Sequence, residues 1–162
     1  MKSSDKTGEK TNVMRVLDQK KIPYRSHAYT ADPSLSGEEI AALLGEDADR
    51  VFKTLVTVGK TGKNYVFVIP VREELDLKKA AAAAGEKNIV MIRQKELLPL
   101  TGYVHGGCSP IGMKKPLPTF LHESAHSCDR IFVSAGRVGA QVELSPADLI
   151  AVAGITPAQL VG

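Results

Sequence analysis

Two β-rich runs, Val51-Phe52-Lys53-Thr54-Leu55-Val56-Thr57-Val58 and Tyr65-Val66-Phe67-Val68-Ile69-Pro70, flank the polar stretch Gly59-Lys60-Thr61-Gly62-Lys63-Asn64. Branched and aromatic side chains suit strands, and a short glycine-punctuated stretch between two such runs closes a hairpin. This pair commits the chain to a β-sheet, and the remaining elements are placed around it. Thr11 is an N-cap ahead of Val13, Met14, Val16 and Leu17, the apolar face of a short helix ending near Lys21 and stopped by Ile22-Pro23. Tyr24 to Tyr29 reads as a strand, with Arg25, His27 and Tyr29 on one side and Tyr24, Ser26 and Ala28 on the other.

Ser36-Gly37-Glu38-Glu39 is a capping box that opens a helix over Ile40, Ala41, Leu43 and Leu44, closed by Gly45. Asp76 caps a helix through Ala80–Ala84, with Gly85 as terminator; Asn88 to Ile92 is a strand and Gln94 to Leu98 a short helical turn. Residues 101–116 read as a loop. Strands follow at Thr119–Leu121, Arg130–Ser134 and Gln141–Leu144. Two capping boxes, Ser145-Pro146-Ala147-Asp148 and Thr156-Pro157-Ala158-Gln159, predict two closing helices with Pro at the first helical position. The order predicts a mixed α/β fold: one domain over 11–162 behind a disordered tail over 1–10. A length of 162 residues is about one domain's worth against ~150 residues each.

Composition narrows the function classes. The two cysteines, Cys108 and Cys128, are too few for a disulfide scaffold and read as reduced thiols. No apolar run reaches the ~18 residues that span a bilayer, and the charged start carries no apolar segment of a secretion signal, so the expected location is cytoplasmic. Residues 1–25 hold seven Lys and Arg against three acidic residues, while the rest holds fourteen against fifteen. The positive excess therefore sits at the amino end, a basic patch compatible with phosphate contacts but too small for a dedicated nucleic-acid module.

Generic signatures of chemistry are missing: there is no dinucleotide or phosphate loop, no nucleophile elbow and no His-Glu-x-x-His. His122 and His126 stand four apart near Cys128, but without a fourth ligand they do not make a structural zinc site. Lys53 interrupts an otherwise apolar or Thr run, and a fully buried lysine there would be costly unless paired. It belongs either on the solvent face of a half-buried strand or on a cleft wall, facing an anion. Gly102, Gly106, Gly107 and Gly112 give the 101–116 segment a backbone that can approach a ligand and offer N–H groups, with Lys114-Lys115 following; a turn-rich surface connection would need the same glycines. Cys108 in that loop is a candidate nucleophile with no base fixed beside it and His105 merely near. Ser134-Ala135-Gly136-Arg137-Val138-Gly139 is a strand end running into a glycine turn, where a hydroxyl and amides can meet a carbonyl or phosphate. Asp148 is explained by its capping position.

Together, Phe52-Lys53-Thr54-Leu55, Leu75-Asp76-Leu77-Lys78-Lys79, the run from Thr101 to Lys115, Val133-Ser134-Ala135-Gly136-Arg137 and His27-Ala28-Tyr29 resemble the YbaK/EbsC family, the prolyl-tRNA synthetase-associated domain, over roughly residues 11 to 160. The resemblance implies a partly closed mixed β-barrel surrounded by helices. It implies an aminoacyl-tRNA deacylase that edits mischarged tRNA in trans, most of all Cys-tRNA(Pro) and Cys-tRNA(Cys). It implies the 3′ end of aminoacyl-tRNA as ligand and prolyl-tRNA synthetase as docking partner, with no cofactor, metal, membrane or DNA. Lys53 falls on the family's lysine as the catalytic residue; Tyr29, Thr54, Gly106, Gly107, Ser134 and Gly136 fall on substrate-binding positions, with the Gly106-Gly107 amides facing the carbonyl. The family mechanism uses the substrate's own thiol, which attacks its ester carbonyl and leaves as a thiolactone, so the protein supplies position and electrostatics. Three features depart from the pattern. Thr30 to Ser36 lacks a second histidine and an aromatic, Gly-Arg-Val-Gly at 136–139 replaces Gly-Lys-Arg-Gly, and Cys108 stands where relatives carry Ile. The competing readings are a non-catalytic tRNA- or synthetase-binding module of the same fold, a deacylase for another small amino acid, and a thiol hydrolase using Cys108.

Overall fold

The computed structural model describes residues 10–32 and 34–162; apart from Lys10, the tail expected over 1–10 lies outside them. Helix α1 (Asn12–Gln19) starts where Thr11 accepts from the Met14 N–H. After β1 (Arg25–Ala28), α2 (Gly37–Leu44) opens on the Ser36–Glu39 capping box and ends at Gly45, whose φ of 69° is the left-handed turn glycine adopts without strain. The hairpin is β2 (Phe52–Gly59) and β3 (Asn64–Pro70), with Phe52 opposite Pro70 and Val58 opposite Asn64. Then come α3 (Leu77–Ala84), capped by Asp76, β4 (Ile89–Met91) and α4 (Gln94–Thr101). The chain closes with β5 (Thr119–His122), β6 (Ile131–Ser134), β7 (Ala140–Leu144), α5 (Pro146–Ala153) and β8 (Ile155–Ala158).

The strands form a five-stranded sheet, ordered β4-β2-β3-β5-β8, and a three-stranded sheet, ordered β1-β7-β6. β3 is buried on both faces, which is why its sequence is nearly all apolar. Val66 and Val68 meet α1 and the smaller sheet through Val13, Leu17, Ile131 and Val142, while Tyr65, Phe67 and Ile69 pack on Ala80, Ala81 and Leu160. Burying each such Val or Leu contributes about 1.5–3 kcal/mol. A third cluster, Ala41, Ala48, Val51, Val71 and Phe132, holds α2 over the start of β2.

The mixed α/β fold is as expected, but the sheets do not close into a barrel. Among the described residues they are joined by the bridge Val51–Phe132. A second correction falls at the carboxyl end, where the capping box at Thr156 opens no helix: β8 runs parallel to β5, with Thr119 opposite Ile155. Pairing with β5 carries the chain on to Leu160, which is buried, its N–H donating to His122 Nδ1 at 3.1 Å and its carbonyl accepting from the Asp76 N–H at 2.8 Å. The helical turn expected at Gln94–Leu98 runs on to Thr101 despite Pro99. No helix among the described residues is long and apolar enough to cross a membrane.

Candidate active site

A cavity of about 310 Å³ opens where the start of β2 meets the smaller sheet, the segment before α2 and the loop after α4. That is the lower end of the ~300–1,000 Å³ typical of small-molecule sites. Its apolar wall includes Leu35, Ile40, Phe52, Met91, Ile92 and Leu97; Tyr29, Lys53, Thr54, His105, Gly106, Ser134 and Gln141 supply the polar groups.

Lys53 is half-buried on this wall and makes no ion pair or hydrogen bond among the described residues. The choice between a solvent face and a cleft wall therefore falls to the cleft, with a cation that no carboxylate among the described residues neutralises. Beside it, Thr54 Oγ1 is buried without a hydrogen-bond partner. A buried hydroxyl left that way costs about 1–3 kcal/mol, which a polar ligand atom would recover. Burial pushes the Tyr29 hydroxyl above its usual range, so it stays protonated and can donate.

The 101–116 segment is anchored inward. Thr101 Oγ1 bonds to the Leu97 carbonyl and accepts the Tyr103 N–H, Tyr103 donates its hydroxyl to the Ile111 carbonyl, and Asn12 reaches the Gly112 carbonyl at 3.3 Å. Gly106, at φ 86°, lines the cavity, and its N–H has no acceptor among the described residues. Gly107 does something else. Its N–H donates to the Val104 carbonyl at 2.9 Å, and a Cβ on it would lie 2.9 Å from the Arg137 backbone. It is where the loop touches the 136–139 turn, and its amide cannot face a substrate carbonyl as expected. Gly136 is likewise off the cavity: its N–H donates to Ser134 Oγ at 3.1 Å, and its Cα packs towards Val13 and Tyr103. Ser134 keeps its own O–H to donate into the cleft.

Cys108 lines the cavity but is buried, and burial pushes its thiol up to about 12. A thiol in that state is not a nucleophile near neutral pH. His122 caps the 3₁₀ turn Glu123–Ser127 that contains His126, and in such a turn residues four apart no longer share a face. His122 is committed to Leu160 and His126 is exposed.

Sequence reasoning missed two residues of the site. Gln141, 5% exposed, reaches the cavity from β7, and Glu46, just beyond α2, meets it with its carboxylate. With its NH2 turned to Glu46, Gln141 donates at 3.0 and 2.8 Å to the two carboxylate oxygens; the reverse orientation would set oxygen against oxygen. Burial pushes the Glu46 carboxyl up to about 7, against the opposing pull of His27 and Gln141. A polar residue inside an apolar strand could have flagged Gln141; nothing local marks Glu46.

Residues 32–152 match the family model described as the aminoacyl-tRNA editing domain. The chain belongs to this editing family. The "Putative Cys-tRNA(Pro)/Cys-tRNA(Cys) deacylase EbsC" of Enterococcus faecalis is 48% identical over 148 residues, 91% of this chain and 90% of that protein. A proline–tRNA ligase of Shouchella clausii is 31% identical over 102 residues, covering 63% of this editing domain but only 18% of the ligase. Among solved structures, one described as "a putative trans-editing enzyme for prolyl tRNA synthetase" superposes with a TM-score of 0.80 at 25% identity. That match covers 95% of this chain and 99% of the other. The editing domain thus matches both a chain of its own length and a short part of a much larger synthetase.

Proposed function

We propose that the chain is a free-standing trans-editing deacylase that hydrolytically or by thiolactone release clears cysteine from Cys-tRNA(Pro) and Cys-tRNA(Cys). The observation that carries this is a cleft with a cation and, among the described residues, no activated nucleophile. Lys53 has no partner among the described residues, Cys108 is held neutral, and Ser134 Oγ is bonded to a backbone N–H. Such a site suits a substrate that brings its own nucleophile. The cysteinyl sulfur attacks the ester carbonyl, the carbonyl–ribose bond breaks, and the thiol's proton ends on the ribose oxygen that leaves with the tRNA. Lys53 holds the terminal phosphate or the charge developing on that oxygen, while the Gly106 N–H and the Ser134 hydroxyl steady the carbonyl region. Placing charge stabilisers where the charge develops is the largest lever such a protein has.

A second sieve is needed because cysteine and proline are close in size, and a pocket separates such differences by only about 1–3 kcal/mol. The stretch shared with proline–tRNA ligase supports docking on that synthetase, which would raise the local concentration of mischarged tRNA. The test is a panel of labelled aminoacyl-tRNAs: loss of the cysteinyl ester ahead of the alanyl, seryl and prolyl esters is the expected result. Turnover of another ester first would reassign the substrate, and no turnover of any would leave a binding module.

A further inference from the structure

The β1-β7-β6 face of the cleft carries a polar row of which the proposed chemistry uses only Ser134. Strand register sets Ser134 opposite Gln141 and Gln141 opposite His27. Gln141 is buried and lines the cavity, and its NH2 end is held by both oxygens of Glu46. The end of the amide left for a ligand is the side-chain carbonyl, an acceptor. An aminoacyl ester presents three polar features: a phosphate-bearing ribose, a carbonyl and an α-ammonium. Lys53, Gly106 N–H and the Tyr29 hydroxyl are all donors, suited to the first two. The ammonium needs an acceptor, because a charged donor buried without one is costly. Asp32 also borders the cavity and is the competing acceptor, but it sits at the half-exposed rim with its Oδ1 held by the Ser34 N–H and hydroxyl at 3.0 and 2.7 Å, whereas Gln141 is buried in the wall.

We propose that Gln141, positioned by Glu46, accepts the α-ammonium of the substrate, so that the cleft takes a free aminoacyl ester and rejects one whose amino group is acylated. The proposal rests on reading the cleft as an aminoacyl-ester site. It gives the Glu46–Gln141 contact a purpose: an amide is symmetric in shape, and only a fixed acceptor on one side decides which end faces the ligand. The groups facing Glu46 are His27 from β1, Glu143 from β7 and Tyr29 beyond β1, with His27 Nε2 2.8 Å from the Glu143 carboxylate. Ionised Glu46 keeps the NH2 turned away from the cleft. Protonated Glu46 can donate to the Gln141 carbonyl instead, turning the NH2 towards the ammonium, so ammonium binding weakens as pH falls through about 7.

The probe is 3′-amino-3′-deoxyadenosine carrying cysteine through a stable amide, with its α-amino group free or acetylated, titrated calorimetrically at alkaline and mildly acidic pH. A hydrogen bond to a charged group predicts that the wild type prefers the free amine by about tenfold or more. Gln141→Leu should bind both forms alike, at the wild type's affinity for the acetylated one. Glu46→Ala, at a half-exposed position that tolerates truncation, should lose most of the preference even if Gln141→Leu folds poorly. Glu46→Gln cannot ionise and, like protonated Glu46, offers Gln141 a donor as well as an acceptor, so at alkaline pH it should already show the reduced preference of the acidic wild type and weaken no further on acidification; the ligand's own titration is common to both proteins. Equal wild-type affinity for the two forms would overturn the proposal while leaving the aminoacyl site standing. So would equal losses of both forms in Gln141→Leu, or loss of the preference in Asp32→Asn instead. Failure of the wild type to bind either form would overturn the aminoacyl reading itself.

Discussion

Lys53→Met should separate catalysis from folding. Methionine keeps an unbranched stem along the cleft wall and removes only the ammonium. Because Lys53 has no ion-pair or hydrogen-bond partner among the described residues, nothing in the protein is orphaned by the change. Stability should hold or rise by up to about 1 kcal/mol as a half-buried charge is removed, which is a Tm unchanged or raised by about 2–4 °C. Activity should behave oppositely. A unit charge about 4 Å from a developing oxyanion is worth about 4 kcal/mol at an effective dielectric of ~20, and loss of a single oxyanion donor costs about 10²–10³ in kcat. The assay pairs single-turnover deacylation of Cys-tRNA with thermal unfolding of the same preparation. A variant within about threefold of wild-type kcat/KM, which is under 1 kcal/mol of barrier, would refute the assignment. A lowered Tm would show that Lys53 is held by contacts the structure lacks.

Cys108→Ala should retain deacylation of Cys-tRNA, since burial holds the thiol at about 12, and should lose about 1 kcal/mol of stability to a small cavity. The wild type should clear Ser-tRNA far more slowly than Cys-tRNA, because orientation that supplies as much as ~7–11 kcal/mol is given to a thiol that serine lacks; equal rates would move the nucleophile to water or protein. Gly107→Ala sets a Cβ 2.9 Å from the Arg137 backbone, and overpacking of this kind costs about 1–3 kcal/mol. It should lower both Tm and turnover, and an unchanged Tm would show that the two turns are free to part. Burial lowers the pKa of His122, so the unfolded chain binds a proton below about pH 6.5 that the folded chain does not, and stability falls as pH drops from there towards the folded value. His122→Asn keeps an acceptor for the Leu160 N–H without titrating, so its melting temperature should vary less than the wild type's across mildly acidic pH; parallel curves would exclude His122 as the source.

The local elements were legible because their determinants lie within a few residues. Thr11, Ser36, Asp76 and Ser145 each satisfy N–H groups one turn away, and Gly45 and Gly85 each supply a left-handed residue that few others adopt. The branched and aromatic residues of β2 and the unbroken apolar run of β3 likewise announced the central hairpin. The family was legible too, since Phe52-Lys53-Thr54-Leu55 and the run from Thr101 to Lys115 are contiguous. What the chain alone could not decide is whatever depends on a partner far along it. The Thr156 box has the residues of a helix start, yet pairing with β5 and burial of Leu160 outweigh the cap. Gly107 and Gly136 look like ligand-facing glycines in one dimension; in three, one N–H is taken by Val104 and the other by Ser134. Glu46 and Gln141 are 95 residues apart in sequence and carry no shared motif. Only the packing of α2 against the smaller sheet brings that carboxylate to that amide, because a side-chain hydrogen bond is decided by distance in space.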